Sequence, residues 1–364
     1  MPEIRYAPTE LGAIAWQAQG PLDAPPVLFV PPLAQHIEML WEKPAFWRPI
    51  TRLTTRVRLL LFDKLGTGLS DPADAPHGLD ERVQQVIAVL DAAGIERAAI
   101  FGISESGVTA AAVAARHPDR VSALVLANAL AGTADLAGVS RYGELAPPSE
   151  ILAFWERFID GWGTASTLTL TDLAPSLAAD DSMRRWVPSY ERASASPVLI
   201  GRWVRGALRL DVTAELDGIT APTLVMHARG DRVIPVAHGR YLADHIAGAS
   251  FVELDGQDHF LWVSPGVDDA IDVIHDFLAD HDWALAPERS TSSGGEVRRR
   301  WDPYATLTPG ERRCVRLAQR GLANAAIAET LGLSVRTVEN HLSRSFAKLG
   351  VRSRVELALL GEQV

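Results

Sequence analysis

Residues 98–107 read Ala98-Ala99-Ile100-Phe101-Gly102-Ile103-Ser104-Glu105-Ser106-Gly107, and an alanine-rich stretch follows at once. Ala98–Ile103 is an apolar run of strand length, and Val108–His117 has the pattern of a helix. A serine between them, flanked by Gly102 and Ser106, sits where a strand must turn sharply into a helix. Small neighbours are needed there because the backbone passes close to adjacent elements. The usual spacing ends in Gly where this chain has Ser106, a small residue but a departure. A serine hydroxyl on such a turn becomes a nucleophile only if a base takes its proton and an acid orients the base. His259, in Asp255-Gly256-Gln257-Asp258-His259-Phe260, and Asp231, in Arg229-Gly230-Asp231-Arg232, each follow a strand-like run. Taken singly, Asp231 reads as a turn residue and His259 as a solvated loop histidine. Together, in the order Ser…Asp…His beyond three strand ends, Ser104, Asp231 and His259 form the set that serine acyl chemistry requires.

Outward from this stretch, Val27–Val30, Val57–Phe62, Val121–Ala127, Thr223–His227 and Phe251–Leu254 read as further buried strands. Helical segments such as Leu79–Ala93 lie between several of them. That alternation predicts a mostly parallel sheet with helices on both faces. Residues 133–217 break the rhythm with helical patterning and carry Trp155, Trp162, Trp186 and Trp203, four of the chain's 10 tryptophans. An insertion over the ligand-binding edge of the sheet is expected. His36, Glu38 and Trp41 read equally well as a pocket entrance or as a loop that buries Trp41, and His227 and Asp258 fall near the site without a role. Ser, Gly, Pro and charge dominate 284–302, which reads as a linker.

Beyond the linker the chain is helical. Thr308, Pro309 and Glu311 form a capping-box start, Ala323–Leu331 is a short helix ended by Gly332, and Ser334 opens another helix to about Leu349. In that last helix Val338, Leu342 and Leu349 share one stripe, with Val335 and Phe346 at its edge. Arg336, Asn340, Ser343 and Arg344 lie opposite, flanked by Thr337, His341 and Lys348. Two short helices about a tight turn, with an asparagine ringed by cations on the exposed face, suit the major groove of DNA.

Charge divides along the same line. The 364 residues carry 35 Lys and Arg against 45 Asp and Glu, a net of −10. From residue 296 onward there are 12 bases and 7 acids, a net of +5, while the preceding residues hold 23 and 38, a net of −15. Opposite signs in one chain indicate two jobs with opposite electrostatic needs. A single cysteine, Cys314, excludes an internal disulfide and a cysteine-based zinc site. No cofactor or metal is expected. The N-terminus lacks a signal-peptide pattern, and no apolar run is long enough to span a bilayer, so a soluble cytoplasmic protein is expected.

With these residues in hand, two family resemblances emerge. Residues 1–283 resemble an α/β-hydrolase, with Phe62-Asp63-Lys64-Leu65-Gly66-Thr67-Gly68-Leu69-Ser70-Asp71 matching the loop after the family's fourth strand. The resemblance implies an α/β sheet with a helical cap at about 133–217. It also implies an oxyanion hole from the backbone N–H of Glu105 and of a residue after Val27–Val30. Pro31 and Pro32 have no N–H, which leaves Leu33 as the second donor. Residues 303–364 resemble the LuxR-type helix-turn-helix, including Lys348-Leu349-Gly350-Val351 and Arg354-Val355-Glu356-Leu357. That implies four helices and a homodimer on a two-fold DNA site. It also implies base contacts from Glu339, Asn340 and Ser343 and phosphate contacts from Thr337, His341, Arg344 and Lys348, with Arg336 on the same face. The combined expectation is a DNA-binding regulator whose hydrolase-like unit senses a small apolar or aromatic ester, lactone or similar ligand, with slow hydrolysis, a held acyl-enzyme and binding without turnover all left open. The alternative is an esterase or lactonase whose DNA-binding unit is secondary.

Overall fold

In the computed structural model the described residues are 2–73, 75–132, 135–281, 307, 309–319, 321–331, 335–349, 351, 353–354 and 356–357. They fall into two compact units, 1–287 and 288–364. The expected linker, Thr308, Gly332 and Ser334 lie outside the described residues, as does most of the fourth helix implied for the second unit.

The first unit begins with β1 (Arg5–Thr9), β2 (Gly12–Gln19), β3 (Pro26–Val30), α1 (Pro44–Leu53), β4 (Arg58–Phe62), α2 (Leu79–Ala92), β5 (Ala98–Ile103), α3 (Ser106–Arg116) and β6 (Val121–Ala127). Four helices then intervene: α4 (Leu136–Val139), α5 (Pro148–Gly161), α6 (Asp181–Ser194) and α7 (Pro197–Ala207). The unit closes with β7 (Thr223–Ala228), α8 (Val236–His245), β8 (Ser250–Leu254) and α9 (Val267–Asp280). The sheet has eight strands in the order β1-β2-β4-β3-β5-β6-β7-β8. β3 to β8 are parallel, whereas β1 pairs antiparallel with β2, and β2 with β4.

The hairpin of β1 and β2 is absent from the sequence expectation. Only Ala7 of β1 is buried, so this edge strand carries little of the apolar signal that marked the six others. In the centre, period two is plain: Leu28, Val30 and Ile100 pack on one face of the sheet, Val27, Phe29 and Phe101 on the other. Both faces are covered, which is why these strands read as unbroken apolar runs.

The strand order reverses between β3 and β5, which pair directly with Val30 beside Gly102. At such a switch point the connections leave in opposite directions and open a crevice at the C-terminal edge. The turn after β5 is tight. Ser104 has φ 58°, in the left-handed region, and a Cβ on Gly102 would stand 2.7 Å from Ala110 Cβ and 2.9 Å from Gly107 Cα. Ser106 is more than a small substitute for glycine. Its hydroxyl accepts from Ile103 N at 3.0 Å and lies 2.8 Å from Val30 O and 2.7 Å from Ile103 O, tying the turn to β3.

In the second unit, α10 (Pro309–Gln319), α11 (Asn324–Leu331) and α12 (Val335–Leu349) surround a small core containing Leu307, Cys314, Val315, Ile327, Val338, Leu342 and Leu357. The stripe read from the sequence is the buried one at Val338 and Leu342, while Val335 is 44% exposed.

Gly107→Ala tests how tightly α3 is set. In an open helix the change would gain about 1 kcal/mol, but here the new methyl would lie 2.5 Å from Ala129 Cβ. Overpacking wins, and a net loss of about 1–2 kcal/mol is expected in urea unfolding followed by tryptophan fluorescence.

Candidate functional site

Three loops at the C-terminal edge of the sheet bring the expected residues together. Ser104 follows β5, Asp231 follows β7, His259 follows β8, and all three are buried. His259 Nε2 lies 2.8 Å from Ser104 Oγ, and His259 Nδ1 lies 2.8 Å from Asp231 Oδ2. Because an ionised carboxylate can only accept, the proton belongs on Nδ1, leaving Nε2 to accept from the serine hydroxyl. Burial pushes the Asp231 carboxyl up, but His259, His227 and the backbone N–H of Ile234 outweigh it and hold the group below the usual range. Asp231 Oδ1 also accepts from Val233 N at 2.9 Å and Ile234 N at 3.1 Å, so both oxygens are fixed.

His227, left without a role by the sequence, stands 3.7 Å from Asp231 Oδ2 and hydrogen bonds to Ile234 O at 2.8 Å. Burial lowers its pKa, so it stays neutral beside the carboxylate. Asp258 turns away and accepts from Ser176 N at 2.9 Å. A residue missed by sequence reading is Asn128, directly after β6. Its amide donates to His259 O at 2.7 Å and to Asp258 O at 3.2 Å, and its Oδ1 accepts from Ala228 N at 2.8 Å. One side chain thus joins the loops that carry Asp231 and His259. Its only sequence signal is an asparagine at a strand end, where the backbone takes φ 46°.

Of the two residues expected to form the oxyanion hole, Leu33 borders both chambers with Ser104, and Glu105 follows Ser104 in the chain. Among the described residues, neither backbone N–H has an acceptor. Ser104, Leu33 and Trp155 border two chambers. One, of about 100 Å³, is walled by aliphatic side chains and aromatic rings, including Phe158, Trp162, Trp186, Phe260 and Trp262. The other, of about 480 Å³, is lined by Leu136, Leu145, Phe154 and Leu208, with Arg157 and Arg232 exposed at its rim. His238 also faces it, with burial lowering its pKa to about 4, so it is neutral near pH 7. Of the four tryptophans of the insertion, three border the aromatic chamber. Trp203 instead packs beneath Lys64 and Arg82. Trp41 donates to Gln17 Oε1 at 3.2 Å and packs on the core; neither it nor His36 nor Glu38 borders either chamber.

In the second unit, Arg336, Glu339, Asn340, Ser343 and Arg344 are exposed on α12, and Thr337 and His341 are half-buried. Lys348, the remaining expected phosphate contact, is exposed and also has a partner within the unit. Its ammonium lies 2.6 Å from Oε2 of buried Glu311, pinning the end of α12 to α10. We propose that this pairing with Glu311 takes most of what the exposed Lys348 would offer a phosphate. Lys348→Ala should therefore destabilise this unit by about 1–3 kcal/mol, because it strips Glu311 of its cation. The salt slope of DNA binding should stay as in the wild type. Arg344→Ala should do the opposite, lowering the slope by about one with stability unchanged. Fluorescence-anisotropy titrations at several salt concentrations, with thermal melts, separate the two.

Comparison with known proteins bears on the family of each unit. A profile of the family described as "alpha/beta hydrolase fold" matches residues 25–265, and one described as "bacterial regulatory proteins, luxR family" matches residues 305–360. A 2-hydroxymuconate semialdehyde hydrolase of Pseudomonas sp. (strain CF600) is 34% identical over 254 residues, covering 66% of this chain and 83% of that protein. An HTH-type transcriptional regulator of Mycobacterium bovis is 34% identical over 123 residues, or 30% of this chain and 14% of that protein. The crystal structure of the enol-lactonase from Burkholderia xenovorans LB400 superposes with a TM-score of 0.56 at 23% identity, covering 76% of this chain and all of that one. Among the described residues no helix is long and apolar enough to cross a membrane. The chain belongs to the α/β-hydrolase fold family and carries, after that domain, a DNA-binding domain of the LuxR family of bacterial regulators.

Proposed function

We propose that this protein is a transcription regulator whose hydrolase-fold unit, at about 1–283, receives a small ester or lactone with an apolar or aromatic arm. The second unit, at about 303–364, binds DNA as a homodimer, and the helices of about 133–217 cap the site. The observation that carries the reading is the buried chain of hydrogen bonds Ser104–His259–Asp231 under a wall of aromatic rings, in a polypeptide that ends in a LuxR-type DNA-binding domain.

In this reading His259 Nε2 takes the Ser104 proton as Oγ attacks the carbonyl carbon. Asp231 then faces an imidazolium, whose charge it stabilises without itself taking the proton. The developing oxyanion accepts from the N–H groups of Glu105 and Leu33. The apolar arm of the ligand lies against Trp155, Phe158 and Trp162, and the rest extends toward the rim of Arg157 and Arg232. The names of the relatives support acyl chemistry in this fold, and DNA is the partner that the second domain implies. Ligand occupancy acts on transcription by favouring one arrangement of the dimer over another. An esterase or lactonase with a secondary DNA-binding unit is the second reading, favoured by the intact hydrogen-bonded set.

A fluorophosphonate probe followed by intact mass measurement tests the nucleophile. One adduct is expected on the wild type and none on Ser104→Ala; an unmodified wild type rejects the assignment. A promoter reporter compares the two readings, because a ligand response retained by Ser104→Ala means that binding, not turnover, is the signal. For the DNA unit, Asn340→Ala should relax discrimination at one base position, at a cost of about 1–3 kcal/mol on the preferred site, in competition titrations against single-base variants.

A further inference from the structure

The residue after the nucleophile has two functions to reconcile. Its N–H is the expected oxyanion donor, and its side chain is a buried carboxylate. Glu105 Oε1 lies 3.1 Å from Lys64 Nζ and 3.3 Å from Arg82 Nη1, and both cations are almost fully buried. Two cations therefore share one carboxylate oxygen, and the group carries a net positive charge of one. Trp203, from α7 of the helical insertion, lies under both, 4.8 Å from Lys64 Nζ and 4.7 Å from the Arg82 guanidinium carbon. Arg82 Nη2 and Glu105 Oε2 are buried with no partner among the described residues.

Stability alone does not explain such a group. Burying ions is costly, one cation would neutralise one carboxylate, and apolar side chains would fill the space at less expense. The excess charge has a use only if a negative charge appears nearby, and the reaction proposed above creates one next to the Glu105 N–H.

We propose that Lys64 and Arg82 act as a charge clamp on the nucleophile turn: gripping the Glu105 carboxylate, they aim its N–H, and outnumbering it, they leave one positive charge behind the oxyanion. This inference rests on the reading of Ser104 as a nucleophile. As the tetrahedral adduct forms, its negative charge brings the local sum to zero. In a dry interior that interaction is far stronger than in water. Lys64, Arg82 and Glu105 are positioning residues through their side chains, and Trp203 makes the insertion a partner in the clamp.

The clamp is pH-sensitive. Burial is the main influence lowering the Lys64 pKa to about 8, Arg82 adds to it, and Glu105 opposes it. Among the described residues, His77, its pKa lowered chiefly by burial and bordered by Glu81, is the other titratable group facing Arg82. Above about pH 8 Lys64 therefore loses its proton and the net positive charge vanishes.

The experiment follows the rate of fluorophosphonate adduct formation on the full chain by intact mass, from pH 6 to 10. The wild-type rate should reach a plateau and then fall above about pH 8. Lys64→Met should be roughly tenfold slower near pH 7, less than the 10²–10³ lost with a whole oxyanion donor, and should lack the fall. Lys64→Arg, charged throughout the range, should keep the wild-type plateau and stay level above pH 8. It carries the test if Lys64→Met does not fold. A reactive wild type with Lys64→Met matching it in rate and profile overturns the clamp alone. So does a slower Lys64→Met that keeps the high-pH fall, or a Lys64→Arg that falls with the wild type. A wild type that never reacts overturns both the clamp and the nucleophile.

Discussion

Ser104 occupies a backbone conformation that an L residue adopts only under compulsion, at a cost of about 1–2 kcal/mol. The hydroxyl reaches His259 because the turn is held there. Gly102 and Gly107 let β5 and α3 approach within a methyl's width, Ser104 N donates to Ala127 O, and Ser106 bridges to β3. The parallel sheet supplies the leverage, since β5 is hydrogen-bonded on both sides and buried on both faces. Strain concentrated at one residue and over-determined by its surroundings is characteristic of functional sites.

From that point the edge of the sheet is stitched together by side chains that take no part in the Ser104–His259–Asp231 chain. Asn128 joins the loops after β7 and β8. Asp63 accepts from Ile37 N at 2.9 Å and Leu69 N at 2.9 Å, joining the loop after β3 to the loop after β4. Burial is the main influence on its carboxyl and raises its pKa well above the ordinary range, despite those two donors. Glu191, on α6, accepts from Thr167, Thr169 and Gly163 N, fastening a loop of the insertion beside the aromatic chamber. Each of these carboxyls closes a long-range connection with backbone or hydroxyl donors, where an ion pair would cost more desolvation.

The two units obey opposite electrostatic rules. Residues up to 295 carry a net charge of −15, which repels a phosphate backbone, and those beyond carry +5. Within the second unit charge is divided again. Lys348 is committed to Glu311, and Arg354 donates to Leu322 O at 2.6 Å and Asn324 Oδ1 at 2.9 Å, so these cations hold the helices together. Arg336 and Arg344 lie on the exposed face of α12.

Local regularities made much of this molecule readable from its sequence. Buried parallel strands are apolar runs, amphipathic helices repeat every 3.6 residues, and a serine between small residues after a strand marks a turn. The order Ser104, Asp231, His259 pointed to one site because each residue follows a strand and parallel strands end on one edge. Of the antiparallel hairpin at the edge, β1 escaped that reading because it is mostly exposed, and β2, though buried from Ile14 to Gln17, is interrupted by small and polar residues. What only the tertiary structure decided were pairings across the chain. Lys64 and Arg82 converge on Glu105 from 41 and 23 residues away, Trp203 reaches them from the insertion, and Lys348 looks like a surface cation until Glu311 is found beneath it. Such pairings have no period and no fixed spacing. They are set by where folded elements bring side chains together and by the energetic need to give buried charge a partner.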